Sequence, residues 1–526
     1  MKTNKIVITA TLASLSMLVS CSADAPSTPR HETHFTAATA PLPYLLPEGT
    51  LLAVEIHDLA RRWPEIRAVP PLARFQDLLL AEMGLDSDDL PLLVGDRCVL
   101  ALVFAAGGRA VVPVALLLPP SAEQAQAIVG SLADTWTLVR ARGALWIGPK
   151  GLTHELEMVA LGDGTSLAEA VPMDEVSQRL PTGGLVRGWI NPAALQQLLQ
   201  RRIEGRLSAM VDVAGGFLSA ELEAVRWIGF RRELESAKIV TDAVVVYDTG
   251  VLPPEVSRIF NPDTSSPRLP AVLPNDVVVA AAFRPESGAS LAWLRYVAQR
   301  NATNSLRHLE FWIDEFEERF GRNLEADLFD LIGEHGWFLG WETESDMPPT
   351  WVLVLQTADA SRVEATLLDL LSWSNEHAWA RTLGLAVPRI TDYKLDGTTV
   401  HAVALRTPFG QLAGPVFAAV EGYVVTGSHE STLRTGVTLV ENGTFSSRAS
   451  NQEESIRAHA SLWARGPAIA GWVESTLTLS DGNSNHTALI GAVAGLIAGF
   501  VSAAARAWYE EDALRMHSEI MLDGLE

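Results

Sequence analysis

The chain has 526 residues with 40 Lys and Arg against 63 Asp and Glu, a formal net charge of −23. That surplus argues against nucleic acid and against a polybasic membrane contact. Hydrophobic residues at 48% with only 20% charged exclude disorder over the whole length and provide for about two to four folded domains.

Lys2 and Lys5 give a basic start, residues 6–19 an apolar run of secretory-signal length, and Leu18-Val19-Ser20-Cys21 closes it with a small residue directly before a cysteine. The pattern resembles a bacterial lipoprotein signal with its lipobox. That resemblance implies removal of residues 1–20, a diacylglycerol on the Cys21 thiol and acylation of the freed amine. Several acyl chains hold firmly, because each buried CH₂ contributes about 0.8 kcal/mol and one chain alone is marginal. An uncut span would want about 20 apolar residues. Cleavage removes two lysines and leaves 38 basic against 63 acidic residues, a net of −25. Ser22 stands where Asp would be the usual inner-membrane retention signal, so the outer membrane is the expected location.

Residues 21–44 carry Ser, Thr, Pro and Ala with little periodicity and read as a flexible tether between lipid and fold. His31-Glu32-Thr33-His34 within it is one residue short of the His-Glu-x-x-His spacing that zinc proteases place on a helix. Cys98 is the second of two cysteines, so with Cys21 lipidated no intramolecular disulfide forms. In the apolar run of residues 97–104 its thiol reads as a small core side chain rather than a nucleophile.

Past the tether the chain repeats itself. Leu46-Pro47-Glu48-Gly49 before a hydrophobic strand at 50–56 is matched by Leu273-Pro274-Asn275-Asp276 before a strand at 277–283. A helical region follows each, then a glycine turn at Gly84 or Gly321 and an apolar stretch closed by Gly95-Asp96 or Gly333-Glu334. A strand and an amphipathic helix recur at 111–118 with 121–133 and at 350–356 with 360–371. Gly143-Ala144-Leu145-Trp146-Ile147-Gly148 matches Gly422-Tyr423-Val424-Val425-Thr426-Gly427, and Gly188-Trp189 matches Gly471-Trp472. Residues 214–220 with a strand near 239–247 match residues 498–504 with a strand near 516–522. Pro253, Pro254, Pro262 and Pro267 mark a linker at 251–269. The expected fold is therefore α+β: two duplicated domains, residues 45–250 and 270–526, each a curved, mainly antiparallel sheet covered by helices. The second is longer, and its insertions are expected near 343–349, 374–388 and 441–454.

Residues 488–505 form an Ala- and Gly-rich stretch nearly long enough to span a bilayer, with Gly491, Gly495 and Gly499 at four-residue spacing. Their counterpart near 210–225 contains Asp212, Glu221 and Glu223, so the expectation is a buried helix of a soluble domain rather than a membrane span.

No Gly-x-Ser-x-Gly elbow, Ser-x-x-Lys, phosphate-cradling loop or Cys-x-x-Cys pair occurs, so no catalytic, cofactor-binding or metal-ligating residue is assigned. Asp86-Ser87-Asp88-Asp89 lacks the Gly and distal Glu of a calcium loop and reads as the start of a helix near Leu90. Glu315, Glu317, Glu318 and Arg319, interleaved with Phe311, Trp312, Phe316 and Phe320, read as the solvated side of an amphipathic helix. Fifteen tryptophans, Trp63, Trp146, Trp189, Trp337 and Trp472 among them, read as core. Asn301-Ala302-Thr303 and Asn442-Gly443-Thr444 fit a glycosylation acceptor that carries little weight behind a lipobox.

The opening strand at Leu46 to Val54 and the Leu331-Ile332-Gly333-Glu334 turn resemble a family of uncharacterised bacterial envelope proteins that share a Leu-Pro-x-x-Thr-hydrophobic opening and a Leu-Gly-Glu-like turn; the second half departs from it with Val277 in place of Thr. The resemblance implies location and no activity. The expected role is a membrane-anchored, non-enzymatic envelope lipoprotein that binds or scaffolds a protein partner. Alternatives are a carrier or chaperone for a lipid or other apolar ligand, marked by an apolar cavity, and an enzyme with a dispersed acid/base site, marked by converging carboxylates and histidines.

Overall fold

A computed structural model describes residues 45–68, 73, 77, 89–94, 97–104, 111–118, 122–131, 136–161, 166–167, 173–197, 223–235, 238–252, 254, 269–270, 273–285, 291–292, 294–296, 298–299, 305–341, 350–376, 387–407, 410–445, 460–465, 500–510 and 512–522. It is an α+β protein built on antiparallel sheet. Cys21, the tether with His31 and His34, Gly471-Trp472 and most of the proline-rich linker lie outside the described residues.

The strands of the first half are β1 (Thr50–His57), β2 (Arg97–Phe104), β3 (Val111–Leu117), β4 (Trp136–Ala141), β5 (Ala144–Pro149), β6 (Val186–Ile190), β7 (Val225–Glu235) and β8 (Lys238–Tyr247). Those of the second are β9 (Val277–Phe283), β10 (Ile332–Trp341), β11 (Thr350–Thr357), β12 (Val387–Leu395), β13 (Thr398–Thr407), β14 (Gly410–Val420), β15 (Tyr423–Gly427), β16 (Ala460–Arg465), β17 (Phe500–Glu510) and β18 (Ala513–Leu522). Every pairing is antiparallel. The first half runs β4-β5-β3-β2-β1-β6-β7-β8. The second runs β12-β13-β14-β15-β11-β10-β9-β16-β17-β18. β8 and β18 then pair with each other from Ala513 opposite Val246 to Met521 opposite Lys238, joining both halves into one sheet.

Helices pack on this sheet where the sequence alternates apolar and polar at helical spacing. They are α1 (Leu59–Arg67), α2 (Asp89–Val94), α3 (Ala122–Ser131), α4 (Thr153–Leu161), α5 (Met173–Arg179), α6 (Ser305–Phe320), α7 (Ala360–Glu376) and α8 (Glu430–Glu441). Leu156, Val159 and Ala160 of α4 and Val176 of α5 join Ala53, Val99, Ala101, Val114, Trp146, Trp189 and Trp227 in one core. Leu433 and Val440 of α8 join Ala280, Trp337, Leu339, Val352 and Val425 in the second. Pairing parity puts both cores on the same face of the sheet, because directly opposed residues of neighbouring strands share a face. α7 packs Val363 against Val424, on the other face. α6 turns Ile313 and Phe316 inward and leaves Glu318 and Arg319 exposed, but Phe311, grouped with the aromatic side in the sequence, is exposed as well. Asp89 opens α2.

One expectation is overturned. Residues 500–505 of the Ala- and Gly-rich stretch are not helical: they begin strand β17, which pairs with β18 along its length and with β16 from Ser502 to Ala507. Alanine has the highest helix propensity, but from Ser502 to Ala507 the chain is flanked by a strand on each side, and tertiary pairing outweighs a propensity of a few tenths of a kcal/mol per residue. Residues 488–499 lie outside the described residues. Among the described residues no helix is long and apolar enough to cross a membrane.

Two glycines show how closely the first sheet packs. Gly188 on β6 lies opposite Phe230 on β7, and a Cβ there would sit 2.0 Å from the Phe230 ring. A Cβ at Gly229 would meet Val176 of α5 at 2.5 Å. Gly188→Ala should therefore push the ring off the strand and lower the urea midpoint by an amount equal to about 1–3 kcal/mol. An unchanged midpoint would show that the ring swings clear without loss.

Candidate functional site

Charged residues punctuate the core face at one level of the sheet. Glu55 on β1 lies opposite Arg187 on β6, Arg187 opposite Arg231 on β7, Arg231 opposite Asp242 on β8, and Asp242 opposite His517 on β18. Each lies an even number of residues from a core position of its own strand, such as Ala53 or Trp189, so the row shares the face that the helices cover. Burial makes pairing necessary for Glu55, the one fully buried member, since an isolated charge there would cost several kcal/mol.

Most of the row is paired. Arg97 on β2 donates to Glu55 Oε1, and His57 Nε2 lies 3.4 Å from Glu55 Oε2. Burial pushes the Glu55 carboxyl up, but the hydrogen bonds and charges of His57 and Arg97 together outweigh it and hold the group below the usual carboxylate range. Arg231 reaches Glu233 at 3.1 Å and Asp242 at 3.1 Å, and Asp242 bonds to His517 Nδ1 at 2.8 Å. His517 Nε2 stands 3.6 Å from Glu519, which takes a 2.8 Å bond from Lys238 across the β8–β18 seam. Burial raises the Glu233 carboxyl despite its contacts with Arg231 and with Arg62.

At one end of this row a cavity of about 490 Å³ opens between α1, the segment before β6, and β7. Its walls are His57, Asp58, Arg62, Gly183, Gly184, Leu185, Arg187 and Glu233. The local chain shapes it. His57 N–H bonds to the Leu185 carbonyl, and the chain then turns at Asp58, whose φ is 56°. Gly183 and Gly184 have φ of 85° and 101°, and a Cβ on Gly184 would lie 2.7 Å from the Arg231 side chain, so this turn needs glycine.

The carboxylates on this cavity are engaged. Asp58 accepts from Arg61 at 2.9 Å, and Glu233 from Arg62 at 3.4 Å and Arg231 at 3.1 Å. Arg187 has no carboxylate within bonding distance among the described residues; its Nε donates to the Gly183 carbonyl at 3.2 Å. Burial, with the neighbouring Arg231, lowers the Arg187 guanidinium from its ordinary value by more than Glu55 restores. The arrangement suits holding an anion better than moving a proton.

Other residues singled out in the sequence take structural places. Cys98 is 1% exposed and burial pushes its thiol up, as befits a core side chain. Trp63, Trp146, Trp189 and Trp337 are buried. Asn442 caps the end of α8, while Asn301 lies outside the described residues. No group of three His, Cys, Asp or Glu side chains among the described residues is placed to hold a metal ion. The row itself escaped the sequence reading. Its available signal was Glu55, an acid inside the apolar run Leu51 to Ile56.

No family model, curated protein or solved structure matches this chain.

Proposed function

We propose that the chain is a lipoprotein of the bacterial cell envelope, held in the outer membrane by lipid on Cys21, and that it binds or scaffolds partners rather than turning over a substrate. The observation that carries this reading is Leu18-Val19-Ser20-Cys21 at the end of its apolar run. The likeness of the opening strand to uncharacterised envelope proteins agrees with it. The ion pairing of the cavity's carboxylates supports binding over turnover, and its charged walls support a polar occupant over an apolar cargo.

The two halves, on this reading, descend from one duplicated unit. Support comes from strand register: Ala53 faces Ala101 and Trp189, as Ala280 faces Leu339 and Trp463. Leu116 faces Trp146, as Val354 faces Val425. Gly229 faces Val244, as Ala504 faces Glu519. Arg142-Gly143 and Glu421-Gly422, five residues before Gly148 and Gly427, both have positive φ. On this reading Trp463 answers to Trp189, in place of the Trp472 that the Gly-Trp dipeptide suggests. With that match, 36 positions separate Gly427 from Trp463 and 41 separate Gly148 from Trp189, so the region 441–454 adds no length. The added segment is the hairpin β12–β13.

Cys21→Ser should move the protein from the membrane fraction to the soluble envelope fraction, since a lost acyl set removes the only strong anchorage proposed. Retention in carbonate-washed membranes would overturn the anchor. Enrichment of the wild-type chain with inner membrane on a density gradient would overturn the outer-membrane location.

A further inference from the structure

We propose that the cavity beside Arg187 binds a small organic molecule through an oxyanion, a carboxylate or a phosphate. Arg187 supplies the recognition. Its Nε is committed to the Gly183 carbonyl, which fixes the plane of the guanidinium, while its two terminal nitrogens have no acceptor among the described residues. A fork of two parallel donors matches one carboxylate or phosphate edge. The carboxylates that could compete are held elsewhere: Glu55 by Arg97 and His57, Glu233 by Arg231 and Arg62, Asp58 by Arg61. Arg187 is thus a surplus positive charge on the wall of a cavity, within a chain whose net charge is −23.

Size and lining narrow the ligand. A bare phosphate or acetate fills only a small part of about 490 Å³, so the anion is one end of a larger molecule. The walls beyond Arg187 are the glycine turn with Leu185, and His57, Asp58, Arg62 and Glu233, a mainly polar lining that suits hydroxyl or amide groups more than an alkyl chain. The site stands on its own residues and does not depend on the lipid anchor.

Isothermal titration of the purified full chain with acetate, gluconate, inorganic phosphate and sorbitol 6-phosphate tests this. At least one of the two polyol anions should bind with a Kd below about 1 mM, about tenfold tighter than its small counterpart, and the better of the two identifies the anion as carboxylate or phosphate. Arg187→Gln should weaken that binding about tenfold or more, Arg187→Lys should recover part of it, and Arg434→Gln, at an exposed arginine outside this cavity, should leave it unchanged. In parallel, labelling of wild-type Arg187 by phenylglyoxal, read by mass spectrometry, should fall when the better probe saturates the site; this arm needs no variant to fold. Absence of saturable binding up to about 10 mM, binding by Arg187→Gln equal to wild type, or labelling that the probe leaves unchanged would each overturn the proposal.

Discussion

Trp146→Ala should remove about 3–5 kcal/mol of stability, the largest single loss expected in the first half. Trp146 is 0% exposed, and it lies on β5 between Val139 of β4 and Leu116 of β3. Its Nε1 donates to the Ala141 carbonyl at 3.1 Å. Truncation empties a volume bounded by Leu152, Leu156 and Val159, which are themselves fixed by α4 and the turn before it. It also leaves a carbonyl without its donor. A domain is stable by only about 5–15 kcal/mol, so the loss is a large fraction of the whole. Urea unfolding followed by far-UV circular dichroism checks it. A loss below about 1 kcal/mol would mean that the surrounding side chains collapse into the space.

Arg97→Met should be the most damaging change on the charged row, costing about 3 kcal/mol at neutral pH. Removing one partner of a buried pair strands the other, and losses of about 3–5 kcal/mol are typical. Glu55 is 4% exposed, and without Arg97 the one ion-pair partner left within 4 Å among the described residues is His57 at 3.4 Å. The sign with pH follows from the depressed Glu55 carboxyl. Its contribution to wild-type stability is full above the ordinary carboxylate range and is lost as pH falls through its lower folded value. The variant's deficit should therefore be greatest near pH 7 and should shrink toward about pH 4, where the stranded carboxyl takes up a proton. Adding Glu55→Gln should recover most of the deficit at neutral pH. A deficit equal at both pH values, or no recovery in the double variant, would show that Arg97 acts through packing alone.

The opening strand of each half was readable because β1 and β9 follow the same Leu-Pro turn and are apolar almost throughout. The tight turns at Gly143 and Gly422 were readable for a steric reason, since positive φ favours glycine over any residue with a Cβ. Strand β17 was not, because Val501 to Ala507 reads equally as helix until the partners on either side are known. The charged row gathers residues from β1, β6, β7, β8 and β18, separated by up to hundreds of positions. Each alone looks like an ordinary surface charge. Only Glu55 and Arg187, flanked by core residues, betray that they face inward.

The seam between β8 and β18 also decides which edges are allowed to meet. Each half ends in a strand whose outer N–H and C=O groups stay unpaired until the other half arrives, and a bare edge is a template for any second chain. The ladder is centred on Asp242 opposite His517. Were β8 to pair about that centre with β8 of another molecule, Asp242 would face Asp242, and like charges directly opposed are destabilising. Two copies of β18 would set His517 against His517 and forgo both the Asp242 bond and the Lys238–Glu519 pair. Acid and imidazole thus act as a lock that admits the chain's own second edge and turns away its twin, which matters most while only the first half has been made.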